Sequence, residues 1–299
     1  ARLHLEAQIE EAADLTRAVE DRERAINNLV ADALGNNPAL NLADLLKSFT
    51  PSTFDDSAWR FLTTPNRDAF APETPGFFAR ILPGAARRHE RRIIEASRRL
   101  DAAEAYYTER LQEKVTAFAA FEADESARQS EVDRHNASVR ELQRRFEAQE
   151  HSAIVGYFEL VIDRSLNGDQ NALSAEVGYA PDSRHLVVDL ELPELSVVPE
   201  EIGFRYVKSA DRVDPIIRPA GKRKALYANL LCQVALKCID TVFRGDPTEI
   251  VECLTLNGML DTIDPATGQK VRVCLLSVRI TADTFRALNL RQVQPEHCL

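Results

Sequence analysis

The chain has 299 residues, of which 44% are hydrophobic and 28% charged, with a formal net charge of -10. That balance is typical of a foldable polypeptide and excludes an intrinsically disordered one. The length leaves room for two domains. The acidic total argues against wrapping nucleic acid with the whole surface, although a local basic face is still open to phosphate contact. No apolar run is read as reaching the ~18 residues of a membrane span, and the N-terminus is charged rather than signal-like, so a cytoplasmic protein with no membrane partner is expected.

Residues 1–150 read as a helical, coiled-coil region. In the first segment, 1–35, Leu5, Ile9, Leu15, Val19, Ile26, Leu29 and Val30 recur three or four apart as an amphipathic stripe, and Gly35-Asn36-Asn37-Pro38 stops it. From 36 to 84 the prolines Pro51, Pro65, Pro72, Pro75 and Pro83 mark a connector. Short helical turns are expected around Leu42–Phe49, with Trp59, Phe61 and Phe70 as anchors. Residues 85–150 form one long helix free of Gly and Pro. Ile93, Leu100 and Tyr107 are spaced by sevens, as are Leu111 and Phe118, and Val132, Val139 and Phe146. A seven-residue apolar repeat is the mark of a coiled coil. The polar run "EADESARQS" predicts a stutter or hinge near 122–130. A helix of this length reaches roughly 100 Å and cannot bury its own stripe. The first helix, a second copy of the chain, or both must cover it, and a homo-oligomer, most simply a dimer, is expected.

From 151 the period changes. "HSAIVGYFELVIDRSLN" reads as a packed helix ended by Gly168. "SAEVGYAPDSRHLVVDLELPEL" gives two strands around a turn, and "GFRYVKS" another strand. "KALYANLLCQVALKCIDTVFRGD" is a strongly apolar helix stopped by Gly245. "EIVECLTLNGML" and "VRVCLLSVRIT" are two further strands, and "TADTFRALNL" is a short helix capped by Thr281. Residues 151–299 are therefore expected to form an α+β domain with a mainly antiparallel sheet and one central helix. The five cysteines form no CxxC pair and read as free thiols in a reducing compartment.

Several stretches invite a chemical reading. "TIDPATGQK" resembles the acid and Gln/Glu-x-Lys of a metal-dependent nuclease. Its Gln269 and Lys270, however, are adjacent and point to opposite faces, and Asp264 starts a turn that Gly268 closes, so a hairpin turn is the better reading. Asp189 and Glu191 lie two apart on one strand face and could share a divalent metal, but no lysine follows in register, which leaves a half-solvated strand. Six scattered histidines form no triad, and no Gly-rich phosphate loop exists. Two basic clusters are candidates for nucleic acid: Arg87, Arg88, Arg91 and Arg92 near the start of the long helix, and Arg218, Lys222, Arg223 and Lys224 where a loop enters the apolar helix.

Over residues 130–299 an ordered set of motifs stands out: "RHNASVRELQRRF", "YFELVID", "LVVDLELPELSVVP", "RYVK", "DPIIRP", "LYANLLCQVAL", "LNGMLDTIDPATGQKVRVCLLSVR" and "PEHCL". As a set they resemble the region that precedes the nuclease domain in bacterial restriction-endonuclease-like proteins of the Mrr-like, PD-(D/E)xK class. The resemblance implies a regulatory, oligomerising and DNA-sensing role in restriction or phage defence, with double-stranded DNA as partner. In that family the nuclease domain lies beyond a segment similar to "VQPEHCL", where this chain stops. Its catalytic residues therefore have no counterpart here, and its divalent metal, such as Mg, would belong to the missing domain. No cofactor is expected in this chain. The alternative from composition alone is a coiled-coil scaffold that bridges proteins without nucleic acid.

Overall fold

A computed structural model describes residues 2–73, 84–166 and 173–299. The expected Gly168 stop and the prolines Pro75 and Pro83 lie outside them. The fold is α+β, with long helices followed by a small mixed-sheet domain. The helices are α1 (Arg2–Ala33), α2 (Arg67–Phe70), α3 (Ala85–Glu147), α4 (His151–Leu166), α5 (Ala220–Arg244), α6 (Ala282–Arg286) and α7 (Pro295–Cys298). The strands are β1 (Ala175–Ala180), β2 (His185–Glu191), β3 (Glu201–Val207), β4 (Arg212–Ile217), β5 (Cys253–Ile263) and β6 (Lys270–Thr281).

The chain divides into two compact units, Ala1–Asp44 with Arg140–Leu299, and Leu45–Val139. The helical segments are thus shared between the units, whereas the sequence groups them in one N-terminal region. In the first unit the main sheet runs β1-β2-β5-β6, and β3 pairs with β4 separately. The β1–β2 and β5–β6 pairings are antiparallel and β2–β5 is parallel. Along β2 burial alternates strictly, with Leu186, Val188 and Leu190 fully buried. That is the period-two signature of a sheet packed on one face. The helical side of this core comes from Ile154, Phe158 and Ile162 of α4 and from Ala235, Leu236 and Ile239 of α5. By length and apolar content α5 could cross a membrane, a feature the sequence reading missed, but most of that stretch is buried as the core helix of this unit.

The apolar stripe of α1 is partly spent inside this unit, where α1 packs against β3, β4 and α5 and Ile26 and Val30 are buried, while Ile9 and Leu15 stay 52% and 39% exposed. Polar ties fix its register. Phe204 N–H donates to Thr16 Oγ1 at 2.8 Å, Val30 N–H donates to Gln233 Oε1 at 3.0 Å, and Gln233 Nε2 donates to Asn27 O at 2.6 Å. β4 is an unexpected strand because it contains Pro215, which removes a ladder donor. It is tolerated because β4 belongs to a two-stranded ribbon.

In the second unit the connector runs antiparallel along α3. Lys47 N–H donates to Asn136 Oδ1 at 2.8 Å, Ser52 Oγ to Glu125 Oε1 at 2.6 Å, and Arg110 to Ala58 O at 3.1 Å, while Arg67 pairs with Glu104 at 3.3 Å. Where a stutter or hinge is expected, near 122–130, the chain does not break and α3 is helical throughout. Its polar residues there are the ones that hold the connector: Glu125 takes both the amide and the hydroxyl of Ser52, and Arg128 lies over the Phe49 ring at 5.6 Å. Trp59 stacks on Phe54 and sits beneath Arg110 as an anchor, and Phe70 is half-buried. Phe61, expected to be an anchor, is 88% exposed. α3 ends at Glu147, three residues before the expected end, where Gln149 takes a positive φ of 54° and starts a separate helix.

Candidate functional site

The acidic pair of β2 is already engaged. Asn257 Nδ2 donates to Asp189 at 2.7 Å, and Ser277 Oγ donates to Asn257 Oδ1 at 2.7 Å, so a polar row crosses three strands. Glu191 accepts from Ser174 instead. The two carboxylates are drawn to opposite neighbours, and no cluster of three metal-ligating side chains occurs among the described residues. Asp264 is a turn residue. It accepts from Ala266 N–H at 2.8 Å and Thr267 Oγ1 at 2.9 Å, and the Ala266 amide is the main cause holding its carboxyl below the usual range. Gly268 supplies the positive φ of 67° that closes the β5–β6 hairpin.

The basic cluster at the start of α5 is split by its environment, which corrects its reading as one phosphate patch. Arg218 is buried, pairs with Glu23 at 2.7 Å and donates to Glu201 O at 3.2 Å. Arg223 pairs with Glu200 at 2.7 Å and donates to Val198 O and Leu195 O, each at 3.2 Å. Both guanidiniums tie segments of the fold together through protein oxygens, although Nε of Arg218 is buried without a hydrogen-bond partner. Only Lys222 and Lys224 stand exposed.

Arg87, Arg88, Arg91 and Arg92 are all exposed on the first turns of α3. At about 100° per residue they occupy the side of the helix opposite Ile93. The Ile93 side is apolar further along: Leu111, Val115 and Phe118, at i, i+4 and i+7, form one stripe and are 41%, 55% and 44% exposed. Ile93 itself is 48% exposed and lies about five turns earlier on the same line. The connector covers only the flank of this stripe, where Phe54 packs edge-on against Phe118 with ring centres 5.2 Å apart. The sequence singles out Ile93, Leu111 and Phe118 by their spacing. Val115 falls outside the sevens, and its place on the stripe follows from the straight 3.6-residue helix.

Comparison with protein-family models, with curated proteins and with solved structures found no match.

Proposed function

We propose that this chain is the non-catalytic assembly region of an Mrr-like restriction or phage-defence endonuclease, acting as a cytoplasmic homodimer on double-stranded DNA. The observation that carries the reading is the exposed Leu111-Val115-Phe118 stripe on a 63-residue helix. A helix cannot bury such a stripe alone, and heptad-spaced apolar residues on a long helix pair best with their own copy. A dimer would hold two nuclease domains together, which suits an enzyme that must cut two DNA strands. The motifs of residues 130–299 support the family. Within the second unit the arginine face of α3, with Arg87, Arg88, Arg91 and Arg92, looks away from the stripe, so pairing through the stripe leaves that face uncovered for phosphates. In the first unit Lys222 and Lys224 are the remaining basic contacts.

The engagement of Arg218 and Arg223 by protein partners weakens the DNA arm and favours the second reading, a scaffold that dimerises without nucleic acid. Electrophoretic mobility of a duplex, run beside light scattering, separates the two. The proposal expects a dimer whose duplex affinity falls as salt rises, with a shallower slope when Arg87, Arg91, Arg92, Lys222 and Lys224 are replaced by Ala. A dimer that leaves the duplex unshifted at low salt selects the scaffold, and a monomer overturns both.

A further inference from the structure

A cleft of about 490 Å³ opens in the first unit between the C-terminal ends of α1 and α4 and the C-terminal half of α5. Arg164, Lys237 and Arg244 line it, with the acids Asp32 and Asp240. Arg244 and Asp240 neutralise each other: Asp240 is 1% exposed and accepts from Arg244 Nε at 2.7 Å. The other nitrogens of Arg244 also reach Asn36 O at 2.9 Å and Ala33 O at 3.2 Å, capping the end of α1. Four of the five N–H donors of Arg244 are thus engaged within the fold.

Lys237 is different. It lies four residues before Thr241, on the same face of α5, and is half-buried with no hydrogen bond or ion pair among the described residues. Burial alone pushes its ammonium below the ordinary lysine range. Arg164 stands exposed at the cleft and likewise has no partner among the described residues. Between them on the wall, Ser165 Oγ and Thr241 Oγ1 share a 2.7 Å hydrogen bond. A desolvated cation without a counter-charge costs free energy, and such groups concentrate where a ligand supplies the missing charge. The volume is in the range that holds a small molecule.

We propose that this cleft binds a small anionic ligand through a phosphoryl or carboxylate group, held by Lys237 and Arg164. Ser165 and Thr241 bond each other, so one of the two hydroxyls keeps a proton to donate to the same group. Asp32, Asn36 and Asn37 on the α1 side suit hydroxyl or amino substituents elsewhere on the ligand. A ligand seated there touches three helices of the first unit, so binding raises the unit's stability by mass action.

The test is a thermal-shift and calorimetric titration of the whole chain with inorganic phosphate, acetate and ATP, against sodium chloride at equal ionic strength. A saturable rise in Tm with at least one of the three is expected, absent with chloride. Phosphate against acetate distinguishes the two anion chemistries, and ATP tests a nucleotide. Lys237→Met, which keeps the apolar stem, and Arg164→Gln should each weaken binding by about tenfold or more, a loss of about 1.4 kcal/mol, while the ligand-free Tm does not fall below that of the parent. Failure of all three probes to bind saturably overturns the proposal, as does binding that survives both substitutions.

Discussion

Arg218 and Glu23, 195 residues apart in sequence, share a 2.7 Å ion pair that fastens α1 to the segment leading into α5. The guanidinium is 5% exposed and the carboxylate 37%. Removing the carboxylate strands a buried charge, whereas replacing both partners with apolar groups removes the desolvation cost as well. Glu23→Ala should therefore destabilise the fold by roughly 2–4 kcal/mol, and Glu23→Met combined with Arg218→Met should recover part of that loss. Urea denaturation of the two variants against the parent measures both. Equal midpoints for parent and Glu23→Ala would mean that the pair does not hold α1 in place.

Acid should release the connector from α3. Glu125 accepts from the Ser52 hydroxyl and amide, with Arg128 beside it, and these hold its carboxyl below the usual glutamate range. A group whose folded pKa is depressed stabilises above its unfolded pKa, and that contribution fades as pH falls through the folded value. Hydrogen exchange at the Ser52 amide, corrected for intrinsic rate, should quicken on acidification in the parent. In Glu125→Gln, which does not titrate, that pH response should be lost. The same acid response in both chains would assign the effect elsewhere.

Gly258 sits where β5 and β6 shift register. A Cβ there would lie 2.7 Å from Leu192 Cδ1 and 2.8 Å from Leu276 Cγ, closer than side chains tolerate. Gly258→Ala should cost about 1–3 kcal/mol through overpacking. Leu192→Ala in the same chain removes one of the two clashes and should make the two changes non-additive in thermal melts.

The thiols should separate by burial. Cys238 is fully buried and its pKa is pushed up to about 12, while Cys274 is exposed on β6. Because the thiolate is the reactive form, a disulfide reagent at mildly alkaline pH should modify Cys274 rapidly and leave Cys238 untouched until the chain unfolds. Cys274→Ser should remove the fast phase. Mass mapping that finds Cys238 labelled in the native chain would contradict the packing of α5.

The elements whose identity rests on local periodicity were legible in the sequence. The alternation of Leu186, Val188 and Leu190, the apolar run of α5 with Gly245 at its end, and Thr281 as an N-cap accepting from Thr284 N–H all read directly. What escaped depends on partners distant in sequence. "EADESARQS" looks like a break in a seam until Ser52 is seen to need Glu125. Of the expected anchors, Trp59 is stacked on Phe54 while Phe61 points to solvent, a difference that only the packing of the connector decides. Arg218 and Arg223 look like a phosphate patch because composition cannot say that Glu23 and Glu200 already face them. Lys237 shows no sign in "QVALKCID" beyond being a cation in an apolar run, and only the packing of α1, α4 and α5 places it in a cleft.

The central claim, that the α3 stripe pairs two copies, is tested most directly by sedimentation equilibrium of the intact chain and of Leu111→Glu with Val115→Glu. Both positions are exposed, 41% and 55%, so the charges can stay in solvent within one chain. The account predicts twice the mass of one chain for the parent, a single-chain mass for the variant, and the same helical circular dichroism in both. A parent that sediments as a single chain, or a doubly charged variant that keeps the mass of a dimer, would contradict it.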